Sequence, residues 1–96
     1  MARQGSCSEN VITEFEWSRH ARHRLRQRRV SEAAIEAAIQ FEHAYRVSNA
    51  GDGDWVVPWF GADGREFGVV YDHPVYGDDT LVRVVTLFRV WDRRRH

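Results

Sequence analysis

The hydrophobic period of this chain changes once, near residue 44, and that change limits the fold more than any other feature. Before it, apolar residues recur at helical spacing. Trp17, Ala21 and Leu25 stand four apart, and Ile35, Ala38 and Ile39 form a second stripe. Ser18 and Ser31 sit where N-caps belong. Glu32 and Glu36 come early in the second stripe, where the helix dipole favours acids. The spacing predicts one helix over roughly Ser18 to Arg28 and another from Ser31 through S-E-A-A-I-E-A-A-I-Q-F. Thr13 to Trp17 alternates and reads as a short strand or a lead-in.

After residue 44 the period is two. A-Y-R-V, W-V-V-P-W-F, F-G-V-V-Y and L-V-R-V-V-T-L-F-R-V-W read as four strands. Between them lie a turn at Asn49 to Asp54, a hairpin turn at Ala62 to Gly64 and a long loop at Asp72 to Thr80. Pro58 marks its strand as an edge or a bulge. The last strand is the longest and most apolar, hence central. Helices first and strands after predict an α+β domain. Two N-terminal helices pack on one face of a twisted antiparallel sheet of about four strands. A length of 96 residues suits one domain. Residues 1–12 are expected to be a flexible start, 13–92 the folded body and 93–96 a basic tail.

Charge is distributed unevenly. The formal net charge is zero, yet residues 17–31 carry +6 and residues 80–96 carry +4, against −8 over residues 32–79. All fourteen basic side chains are arginine, so each presents a planar fork suited to phosphate. On the first helix, His20, Arg24 and Arg28 fall in a row beside the apolar stripe. Arg22, Arg26 and His23 spread over the outer face. Like charges at i,i+4 cost a few tenths of a kcal/mol per pair, and a polyanion would turn that cost into a gain. Nucleic acid, RNA above all, is the partner this implies. The alternative is that the blocks neutralise each other within the protein or across a dimer.

Several classes are disfavoured. Cys7 is the single cysteine, so neither a disulfide framework nor a cysteine zinc site is expected. His20 and His23 are an i,i+3 pair without an ordered third ligand, which argues against a metal. No cofactor is expected. Without a signal-like or membrane-length apolar run, the expected location is the cytoplasm, with no membrane partner.

The run His20-Ala21-Arg22-His23-Arg24-Leu25-Arg26-Gln27-Arg28-Arg29-Val30-Ser31 resembles the signature of a bacterial family, the domain of unknown function 4258. The late run Val84-Val85-Thr86-Leu87-Phe88-Arg89 is similar to that family's last strand. The resemblance spans roughly residues 17 to 91. It departs at Arg29, where the family's inter-helix turn usually carries glycine, and in the longer loop at Asp72 to Thr80. It implies a fold similar to RelE-like toxins and small ribonucleases such as barnase, in which helical and late-strand residues share an RNA-binding cleft. Under that reading the chain is a metal-independent endoribonuclease of toxin type, held in check by a small inhibitor (antitoxin) protein. His20 would be its general acid or base. Arg24 and Arg28 would hold the scissile phosphate. Thr86 would face them, with Arg22, His23, Arg26 and Arg89 contacting RNA. Thr86 and Arg89 are three apart, so only one should serve the cleft unless a bulge intervenes. The competing reading is a non-catalytic RNA-binding or protein-interaction module on the same arginine helix. There His20 would bond a strand carbonyl, Arg24 and Arg28 would pair with acids such as Glu66 or Asp72, and Trp55 and Trp59 would pack under the helices.

Overall fold

The computed structural model describes residues 12–61 and 64–89. Strand β1, Glu14–Trp17, is followed by α1, Arg19–Arg28, and α2, Glu32–Glu42. A 3-10 turn, His43–Tyr45, leads into β2, Val47–Ser48, then β3, Trp55–Phe60, β4, Glu66–Asp72, and β5, Leu81–Arg89. The expected N-terminal stretch through residue 11, most of the Ala62 to Gly64 turn, the end of the last strand at Trp91 and the basic tail lie outside the described residues.

Both helices start as their sequences dictate. Ser18 and Ser31 are extended, and their side chains accept from the N–H groups of Ala21 and Ala34. Ser18 also ties α1 to the sheet. Its N–H donates to the Val84 carbonyl at 3.1 Å and its hydroxyl to the Val85 carbonyl at 3.0 Å. The end of α1 is a Schellman turn: Val30 N–H donates to the Leu25 carbonyl at 3.1 Å and Arg29 N–H to Arg26 at 3.3 Å. Its left-handed position is filled by Arg29, at φ 59° and ψ 48°. An arginine thus carries a position of positive φ, where glycine is the usual residue.

The sheet has five strands in the order β1-β5-β4-β3-β2. Three neighbouring pairs, β2 with β3, β3 with β4 and β4 with β5, run antiparallel, but β1 pairs parallel with β5, Glu14 against Leu81 through Trp17 against Val84. This corrects the expected four-stranded antiparallel sheet. The reason is that β1 finds its partner far along the chain, where no local turn signals the pairing. A second correction concerns Ala44 to Val47. Ala44 and Tyr45 belong to the 3-10 turn, and only Val47 and Ser48 pair, with Val56 and Trp55. Arg46 holds this turn, stacking over Trp55 at 4.3 Å and donating to the His43 carbonyl at 3.0 Å. Pro58 lies past the reach of β2, where the outer edge of β3 is open.

One core joins both helices to one sheet face. Ala21 and Leu25 of α1 and Ile35 and Ile39 of α2 meet Val57, Val69, Tyr71, Val82, Val84 and Leu87. Trp55 and Trp59 pack against the same cluster. Ile12, assigned by sequence to the flexible start, is 2% exposed within that core, and its carbonyl accepts from Gln40 at 2.7 Å. Trp17 closes β1 rather than opening the helix, and its indole N–H donates to Glu36 at 3.1 Å.

The pairing of β4 with β5 shifts between Val70 and Tyr71. Val70 opposes Thr86 while Tyr71 opposes Val84, so Val85 has no partner. This bulge changes the phase of β5. Val82 and Val84 point to the helices before it, and Leu87 after it. Arg89 follows Leu87 on the helix side, opposite Phe67. Thr86, opposite Val70, lies on the other side, as does Phe88, which crowds the position a Gly68 side chain would take.

Candidate nucleic-acid interface

A transverse row of the sheet, Trp59 opposite Phe67 opposite Arg89, passes beyond the end of α1 on the helix side. The helix stops at its Schellman turn and leaves this row open. The result is a cleft of about 370 Å³. Trp59 and Phe67 form its floor, Arg28, Arg29 and Val30 one wall, and Gly61, Arg65 and Arg89 the other sides. The two rings are 5.6 Å apart, tilted by 46°. The β3–β4 turn is closed by Gly61 N–H donating to the Arg65 carbonyl at 2.9 Å, which sets Arg65 at the rim.

Four arginines therefore line one hollow, and no carboxylate is among the described residues that line it. Arg28 is half-buried, with its guanidinium 5.7 Å from the centre of the Phe67 ring. Its Nε is buried and has no hydrogen-bond partner among the described residues. A desolvated donor of this kind costs about 1–3 kcal/mol when left unmade. Basic residues at a helix C-terminus also complement the dipole, so Arg26, Arg28 and Arg29 gain something from α1 itself. The helix end presents carbonyls, not N–H groups, so it offers an anion in the cleft no free helix-terminal donor.

The sequence-predicted residues divide. Arg28 and Arg89 meet in the cleft. His20 and Arg24 stay on the row along α1, outside it. His20 lies eight residues from Arg28, about 12 Å along the helix axis. His20 is exposed, and its Nε2 accepts only a long 3.5 Å bond from Arg24 Nε. Asp72 lies beside Arg83, at 4.0 Å. Thr86 does not face Arg24 and Arg28. The bulge turns it to the opposite side of the sheet, where its hydroxyl makes a 3.4 Å contact with the Leu87 carbonyl. Arg22 pairs with Glu32 at 3.1 Å on the surface, and His23 and Arg26 are exposed. The two described arginines of the second basic block part company. Arg89 reaches the cleft, but Arg83 lies near the opposite end of β5 among Glu16 at 3.3 Å, Asp72 at 4.0 Å and the Tyr76 hydroxyl at 2.8 Å.

Sequence reading missed Arg29, Arg65 and Trp59 as partners in one hollow. Arg65 and Arg29 carry no motif of their own. Only the register across β3, β4 and β5 brings them to Arg89. It also missed a buried polar pair. His43 and Tyr71 share a 2.7 Å hydrogen bond under α2, and the His43 ring stands edge-on to His73 at 4.5 Å. Burial, then the nearby charges of Arg46 and His73, lower the His43 pKa to about 4. Burial raises that of Tyr71. His73 donates from Nε2 to the Asp79 carbonyl at 2.7 Å and receives the Trp55 indole N–H at its own carbonyl. Among the described residues no group of three or more His, Cys, Asp or Glu side chains is arranged to hold a metal ion. Among the described residues no helix is long and apolar enough to cross a membrane.

A second hollow of about 460 Å³ on the other sheet face is lined by Val47, Val56, Pro58, Gly68 and Phe88, with Glu66 as its charged residue. It is the less suited of the two to an anion. No protein-family model, curated protein or solved structure matches this chain.

Proposed function

We propose that this protein binds RNA through the cleft at the end of α1, with the half-buried Arg24 and the exposed Arg26 and His23 extending the basic surface along the helix. The observation that supports this reading is the convergence of Arg28, Arg29, Arg65 and Arg89 on an aromatic floor with no carboxylate among the described lining residues. Phosphate oxygens would accept hydrogen bonds from guanidinium groups that line the cleft. The binding module is favoured over the ribonuclease that the family resemblance implies. His20 is solvent-exposed and stands two helical turns from Arg28, so among the described residues no proton-transfer group accompanies the four arginines in the cleft.

The test is fluorescence anisotropy with a labelled single-stranded oligoribonucleotide over a salt series. Four phosphate contacts predict a slope of roughly −3 in log K against log salt, or about a 50-fold loss between 50 and 200 mM. Arg28→Ala with Arg89→Ala should make the slope shallower by about 1.4. Absent or salt-insensitive binding removes the reading. Electrophoresis of the same samples checks for cleavage, and RNA cutting that His20→Ala abolishes would replace the binding module with the ribonuclease.

A further inference from the structure

We infer that the cleft takes one unpaired nucleotide, with its base against Trp59 and its flanking phosphates on the arginines, so that the protein selects single strands over duplexes. This rests on the RNA-binding reading and adds to it a substrate class.

Three features carry the inference. The first is size. A hollow of about 370 Å³ falls near the lower end of small-ligand pockets, the scale of one nucleotide and far below that of a duplex. The second is the floor. Arg28 already covers the Phe67 ring, and Phe67 is 6% exposed. Trp59 is only half-buried and is the aromatic surface left for a ligand. An indole in a concave, cationic hollow is a stacking platform for a base that has left its helix. A paired base keeps its faces covered by its neighbours and cannot reach such a floor.

The third is the placement of charge. Arg28 and Arg29 come from the helix end, Arg65 from the β3–β4 turn and Arg89 from β5. Cations thus border the aromatic floor from separate elements rather than from one side. A nucleotide within a chain has a phosphate on each side of its base. A single inorganic anion would leave Trp59 without a role.

The experiment compares three probes on the full chain at one salt concentration: a single-stranded oligoribonucleotide, the same strand in a blunt duplex, and an abasic strand of equal phosphate number. The intact single strand should bind about ten-fold tighter than the abasic one, the usual worth of one stacked base, and tighter than the duplex. Its binding should quench tryptophan fluorescence. Trp59→Leu should collapse the preference, and Trp59→Phe should retain part of it. Equal binding of all three probes by the unmodified protein overturns the inference and leaves the RNA-binding reading standing. Binding of none overturns both. The comparison of intact and abasic strands decides the matter without any variant, so a folding defect in Trp59→Leu does not blur the result.

Discussion

Replacing Arg29 separates what this residue does for the fold from what it does for the cleft. Arg29 holds the left-handed position of the Schellman turn at φ 59°, a conformation that costs an L-residue roughly 1–2 kcal/mol. Glycine removes that cost. It also makes the unfolded chain freer, which takes back about 0.4–1 kcal/mol. Arg29→Gly should therefore stabilise the protein by roughly 0.5–1 kcal/mol. Arg29→Ala keeps the strain and should gain nothing. With a urea dependence of about 1 kcal/mol per molar for a small domain, the glycine variant should unfold about 0.5–1 M later than the alanine variant. Tryptophan fluorescence follows the transition. Binding should move the other way. Both variants lose the same cation from the cleft, so both should bind RNA more weakly, with a salt slope shallower by about 0.7. A glycine variant no more stable than the alanine variant would refute the argument from φ. Unchanged RNA binding in both would take Arg29 out of the cleft's function.

Three further outcomes are expected. Below about pH 6.5 the unfolded chain takes up a proton at His43 that the folded protein refuses until about pH 4. Stability, measured by urea midpoints, should therefore fall as pH drops through that window, and His43→Gln should flatten the dependence. Gly68→Ala would place a methyl group against the Phe88 ring. It should cost about 1–3 kcal/mol, read as a drop of roughly 5–15 °C in Tm, and an unchanged melt would contradict the packing. Tyr71→Phe should leave the buried His43 Nδ1 without its partner and destabilise by roughly 1–3 kcal/mol, while leaving RNA affinity of the folded protein unchanged.

What the sequence disclosed followed from local physics. Both helices, their serine caps and the end of α1 at Arg28 lie in patterns a few residues long, and they agree with the structure. The strands from Trp55 onward are equally local. The parallel pairing of β1 was not legible, because Glu14 to Trp17 meets residues near 81–84 and no turn links them. The candidate site was half legible for the same reason. The helical row named Arg28, and the last strand named Arg89 and Thr86 without choosing between them. The choice is made by a bulge at Val85, which no residue type announces. Arg65 and Trp59 enter through strand register, a property of pairs rather than of segments.

That bulge gives β5 two reading frames, much as an inserted base does to a coding strand. Up to Val84 even-numbered residues face the helices, and from Leu87 odd-numbered ones do. Deleting the unpaired Val85 would straighten the strand and leave Leu87 and Arg89 facing inward. Deleting Leu87 instead would carry Phe88 inward and turn Arg89 out of the cleft. The arginine chemistry of this surface is therefore addressed by strand length as much as by residue identity. A one-residue change can exchange which side of the sheet is charged while every arginine remains in the chain.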